Sequence, residues 1–177
     1  MDILLELVLI VWPLAGYFFK AFGLYSIAER RRINHPWISW VPVINAWMLG
    51  CISDQYRYVT RGETVHRRMW LLVLPVLKII AFGAAAVVGI FCILLDAQAG
   101  GALSTSFWFL AVLFLAVWLA QYVLEQMAAY DLFCSSNPET AALFLILSIL
   151  IPCLRPVFIF VDREKELGMP PRQTAVH

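Results

Sequence analysis

Apolar residues fill three stretches of the chain with no polar stripe, 3–28, 69–95 and 107–130, and a fourth, 138–161, that prolines interrupt. A helix over 3–28 is about 39 Å long, enough to cross a hydrocarbon core of about 30 Å with some tilt. Helices that are apolar all round belong in lipid or in the middle of a large core. The pattern predicts an all-α, polytopic membrane bundle that takes up 1–177 as a single membrane domain. Three full spans join two proline-broken segments, 36–52 and 138–161, that are interfacial or re-entrant. Four full spans are the alternative.

The start of the chain carries Asp2 and Glu6 where a cleavable leader would be basic, so 3–28 reads as an uncleaved anchor helix, with Pro13 a kink point. Between the first two spans lie Arg30, Arg31, Arg32, Arg57, Arg61, Arg67 and Arg68, whereas 96–106 has Asp96 and no Lys or Arg. The positive-inside rule then puts 29–68 in the cytoplasm and the N-terminus outside. A full crossing by 138–161 would carry Arg163, Lys165 and Arg172 outside, against that bias. Pro152 and Pro156 prevent a continuous helix there, which favours a segment that breaks, returns and leaves the tail 162–177 cytoplasmic.

The segment after the first span is short of a crossing. Trp37, Trp40, Ile44 and Trp47 fall on one face of a helix, and Trp prefers the headgroup level. With Arg30, Arg31 and Arg32 beside them, these residues are expected to lie at the membrane interface. Asn137-Pro138-Glu139 reads as an ordinary helix start, with Asn137 the N-cap.

Composition agrees with a membrane chain: 62% of the residues are hydrophobic, 14% are charged, and the mean hydropathy is +0.81. Soluble domains carry roughly a quarter charged residues. A net charge of +1 spread along the chain gives no nucleic-acid footprint. Cys51, Cys92, Cys134 and Cys153 form no C-x-x-C pair, and His35, His66 and His177 are not spaced as metal ligands. Zinc-helix, phosphate-loop and nucleophile-elbow motifs do not occur. The chain is expected to be no enzyme and to use no cofactor or metal.

Charges within the apolar stretches are the strongest functional clue, since each costs a few kcal/mol near the bilayer centre. Lys20 shares a helical face with Gly16 and Gly23, and Lys78 with Ala81, Ala85 and Gly89, so both are expected to face the bundle. Gln121 and Glu125 are one turn apart, and Arg155 can reach the same layer from the broken segment. A carboxylate among three cations is either a structural salt-bridge cluster or a site for a lipid phosphate or other small anion.

The two halves are loosely alike, each span ending in a Tyr (Tyr25, Tyr130) ahead of Asn-x-Pro or Asn-Pro and a broken apolar stretch. The run from Ala28-Glu29-Arg30 through Trp37, Trp40, Pro42 and Asn45 to Leu49–Tyr56 resembles a pattern in small multi-spanning bacterial membrane proteins without a known activity. So does Tyr130-Asp131-Leu132-Phe133 through Asn137-Pro138 to Leu167-Gly168-Met169-Pro170-Pro171-Arg172. The resemblance covers roughly 25–60 and 130–172 and implies a bacterial plasma-membrane protein; it brings no catalytic or binding residue. Expected partners are membrane lipids, anionic ones included, and a second copy or another membrane protein. The expected role is non-enzymatic binding or scaffolding; the alternative is a small oligomeric transporter or a lipid- or anion-handling protein.

Overall fold

The computed structural model describes residues 2–94 and 100–170, with side chains described over 11–91 and 105–170. Among them six α-helices form and no strand: α1 Asp2–Arg30, α2 Asn45–Arg61, α3 Arg67–Leu94, α4 Gly100–Ser136, α5 Ala141–Leu150 and α6 Leu154–Val161. Two 3₁₀ turns, Pro36–Trp40 and Asp162–Glu164, connect or extend them. Asp96, Arg172, and the side chains of Asp2, Glu6 and Cys92 lie outside the described residues.

Residues Arg67–Phe91 of α3 and Thr105–Ser136 of α4 are helices long and apolar enough to cross a membrane. Only 22% and 11% of their most apolar stretches are buried, whereas the inner helix of a soluble protein is mostly covered. Ile80, Phe82, Ile90, Trp108, Phe109 and Val112 are each more than half exposed. The packed core lies toward the other end of these helices, near the arginines. There Leu24, Ile27 and Ala28 of α1 meet Met48, Leu49 and Ile52 of α2, Leu71 of α3, Leu132 and Phe133 of α4, and Ile159 of α6.

The segment after α1 differs from the expected single face. Trp37 and Trp40 sit in the 3₁₀ turn, and α2 starts only at Asn45, so Trp47 belongs to another helix. Pro42 lies between the two pieces and has no N–H to extend the first. Helix α2 then continues to Arg61, past the predicted limit of 52. Asn45, Ala46, Met48, Leu49, Ile52 and Ser53 form its buried stripe, at the spacing of an amphipathic helix. Gly50 permits its contact with α3: a Cβ there would lie 2.7 Å from Arg68 Cα.

Helix α4 also outruns its predicted end and reaches Ser136. Asn137 closes it, donating its N–H to Phe133 O at 2.8 Å, instead of capping the next helix. A residue before proline is disfavoured in the helical region, which accounts for the stop ahead of Pro138. The N-cap of α5 is Thr140.

Helices α5 and α6 are joined by a turn at 151–153 and pack on α4 and α1. Phe144 stacks on Phe158 with ring centroids 4.4 Å apart, and Phe133 meets Phe144 edge-on at 5.8 Å. Gly23 lets α6 approach α1, since a Cβ there would lie 2.9 Å from Ile159 Cγ2. The chain then comes back to its starting point: Leu167 donates to Ser136 O at 3.0 Å and Gly168 to Ser135 O at 3.1 Å. Residues 137–166 therefore leave and rejoin the same end of α4. These two bonds satisfy carbonyls that a helix end leaves open.

Candidate functional site

The longer α4 places Glu125 deeper than the sequence suggests. Lys20 lies ten residues before Arg30, Lys78 eleven after Arg67, and Glu125 eleven before Ser136. At 1.5 Å per residue all three are about 15 Å from the arginine-rich end. They meet there. Lys20, Lys78, Gln121 and Glu125 line one cavity of about 330 Å³, together with Tyr17, Asn45 and Pro75.

Each helix contributes a side chain for a local reason. Gly16 and Gly23 turn the small-residue face of α1 toward α6, and Lys20 lies between them in sequence. The buried Pro75 lines the cavity from α3 three residues before Lys78, and its ring cannot donate to the Leu71 carbonyl. Asn45, the first residue of α2, accepts from Lys20 Nζ at 3.4 Å. Helical spacing on α4 brings Gln121 Nε2 to Glu125 Oε1 at 2.7 Å.

Arg155 is the fifth residue singled out from the sequence, and it does not line the cavity. From α6 it pairs with Glu125, Nη1 to Oε2 at 3.4 Å, and lies over the Tyr122 ring at 6.0 Å. Glu125 is thus held by Arg155 and Gln121 together. Among the described residues, no carboxylate pairs with Lys20 or Lys78 within 4.0 Å. Gln121 Oε1 is buried with no hydrogen-bond partner among them. Two ammonium groups and one open acceptor face a cavity whose single carboxylate is already paired.

An apolar groove of about 500 Å³ meets this cavity at Tyr17 and Lys20, which belong to both. Its walls come from Trp12, Pro13 and Gly16 of α1 and from Cys153 and Pro156 of the α5–α6 turn and α6.

The residues expected at the interface divide into outward and inward groups. Trp37 is 60% exposed, Trp40 is 39% exposed, and Arg32 is exposed with a left-handed backbone at φ 54. Trp47 packs partly buried on the core. Arg30 reaches the Glu164 carbonyl. Arg31 turns inward, 6% exposed, with Nη2 donating to Ser135 Oγ at 2.7 Å and Nε 3.9 Å from Glu166. It serves the end of α4, where the negative end of the helix dipole favours a cation.

A second polar cluster escapes the sequence reading. Asp131 Oδ2 accepts from Arg67 Nη1 at 2.5 Å, Arg57 Nε at 2.9 Å and Ser53 Oγ at 2.6 Å, tying α2, α3 and α4 together. The hydrogen bond to Asp131 holds the Arg57 guanidinium above its ordinary pKa. Next to it, Asp54 accepts from the backbone N–H groups of Arg67 and Arg68 at 3.1 and 3.2 Å, capping α3 from another helix. Burial pushes the Asp54 carboxyl up, and those two N–H groups pull it back. The missed signal was the stripe Ala46, Leu49, Ile52 and Ser53, which marks α2 as a helix facing the bundle. In the Asp131 cluster each charged group has an ion-pair partner, and its bonds join elements.

No family model, curated protein or solved structure matches this chain.

Proposed function

We propose that this chain is a multi-spanning protein of a bacterial plasma membrane that binds a small phosphate-like anion in the cavity of Lys20 and Lys78. The observation that carries this reading is the charge balance: Lys20 and Lys78 line the cavity without a carboxylate partner, while Glu125 is held by Arg155. Two ammonium groups beside a single carboxylate that Arg155 also holds leave excess positive charge at a costly depth, and an anionic guest would offset it.

In this architecture α1, α3 and α4 cross the bilayer and the arginine-rich end faces the cytoplasm. The return of 137–166 to the end of α4 supports a re-entrant α5–α6 hairpin, with Arg163 and Lys165 on the same side as Arg30 and Arg67. Helix α5 alone is about 15 Å long, half of a hydrocarbon core. Scaffolding through the Trp- and Arg-rich segment has less support, because Arg31 and Trp47 turn into the bundle. The activity proposed is binding, with no catalytic step.

Thermal melting in a non-ionic detergent tests the proposal. Phosphate should raise the melting temperature of the wild type, chloride at equal ionic strength should not, and Lys20→Met or Lys78→Met should remove most of the shift. Equal phosphate shifts in the wild type and both variants would refute anion binding at this cavity.

A further inference from the structure

We infer that the guest is a lipid, with an anionic phosphate head between Lys20 and Lys78 and an acyl chain in the groove between α1 and the α5–α6 turn. The inference rests on the anion-binding reading and adds the ligand class to it. A cavity for a free inorganic ion needs no apolar extension, yet this one adjoins a groove of about 500 Å³ and shares Tyr17 and Lys20 with it. Lys20 stands where the polar and apolar spaces join, so the head-to-chain direction of an amphiphile matches the change in lining. On the polar side stand Lys20, Lys78, Asn45, Gln121 and Glu125, the last paired with Arg155; on the other are Trp12, Pro13, Gly16 and Pro156.

The fold explains why the groove exists. At Gly16 α1 carries no side chain, and the nearest atom to a Cβ placed there is Pro156 Cγ at 3.7 Å, an ordinary contact distance. Toward Gly23 the two helices close, and Ile159 fills the space. Between α1 and α6 there is thus room for a Cβ at Gly16, whereas nearer the arginines, at Gly23, there is none. A chain in the groove would cover the exposed Cys153 and reach Lys20 from the deeper side of the bundle. The head chemistry is shared by a membrane phospholipid and a free phosphate ester, and the test separates them.

Native mass spectrometry of the purified full chain would compare dioleoyl phosphatidic acid, dioleoylglycerol and dioleoyl phosphatidylcholine, with ³¹P line broadening of glycerol 3-phosphate measured in the same detergent. The wild type should retain one phosphatidic acid, preferred over dioleoylglycerol by roughly 30-fold for two lysines. Cys153→Trp, which fills the groove, should reduce phosphatidic acid retention by about tenfold or more while glycerol 3-phosphate binding persists. Lys20→Met should weaken both. Unchanged phosphatidic acid retention in Cys153→Trp would overturn the lipid inference and leave anion binding standing. Failure of Lys20→Met to change either probe would instead refute anion binding. If Cys153→Trp does not fold, the wild-type thiol serves: phosphatidic acid should slow maleimide labelling of Cys153 and glycerol 3-phosphate should not, and equal rates with all lipids would overturn the inference.

Discussion

Arg67 donates to Asp131 across 2.5 Å, joining the first turn of α3 to the far end of α4 at a point where both residues are almost sealed from solvent. Arg57 and Ser53 of α2 complete the same carboxylate, so one side chain holds three helices in register. Truncating one member of a buried pair strands the other charge, at a cost of roughly 3–5 kcal/mol. Asp131→Ala should therefore destabilise the chain by about 3 kcal/mol, measured by denaturation in a fixed detergent. Arg57→Ala, at the more exposed position, should cost clearly less. Equal losses for the two would show that burial of the Arg67–Asp131 pair is not what matters.

Asp54 caps α3 from α2. Asp54→Ala leaves the first N–H groups of α3 open and should cost about 1 kcal/mol. Asp54→Asn should cost less at neutral pH, because an amide oxygen can still accept. Burial raises the Asp54 pKa, so the folded chain takes up this proton at higher pH than the unfolded chain. Its contribution is full below the unfolded value and declines as pH rises through the folded one. The wild type should thus gain on Asp54→Asn as the pH falls into the carboxylate range. Melting temperatures of the two proteins across that range provide the check, and parallel curves would contradict it.

The described cysteines should differ in reactivity. Cys51 is buried on α2 and its thiol is pushed up to about 11 by burial, whereas Cys153 is exposed at the α5–α6 turn. At pH 8 the thiolate fraction of Cys51 is roughly 100-fold below that of an ordinary thiol. Alkylation followed by peptide mass spectrometry should find Cys153 modified first and Cys51 last. Labelling of Cys51 should accelerate as the pH approaches 11.

Gly23 marks a close approach of α6 to α1, and any side chain there meets Ile159 backbone at 3.1 Å. Gly23→Leu should push α6 outward, destabilising by about 1–3 kcal/mol through overpacking, and should raise the reactivity of Cys153. Gly83, with nothing within 4 Å of a built Cβ, is the control. Gly83→Leu should leave both readouts unchanged.

The helical class is legible because 69–95 and 107–130 are apolar beyond the length any strand uses, and α3 and α4 occupy those stretches. Periodicity likewise brings Lys20, Lys78, Gln121 and Glu125 to one layer, since small residues beside the lysines turn them inward. The Asp131 cluster is less legible. Its members come from three elements and are separated by four to seventy-eight positions, and one of those elements, α2, mixes apolar with polar residues. Hydropathy read α2 as an interfacial extension of the Trp segment, while its buried stripe faces the bundle. The limit of α4 is obscured for a similar reason. Asp131, Ser135 and Ser136 are polar, so hydropathy ends at Tyr130, yet all three are buried and the backbone stays helical.

The membrane arrangement proposed for this chain depends on which side of the membrane the two ends of the α5–α6 hairpin occupy. Single cysteines at Thr64, Glu139 and Lys165, in a background with the native cysteines replaced by serine, test this with a membrane-impermeant maleimide on intact cells. All three should stay unlabelled until the cells are permeabilised. Labelling of Lys165→Cys on intact cells while Thr64→Cys stays protected would mean that the last segment crosses the bilayer, and would contradict the account.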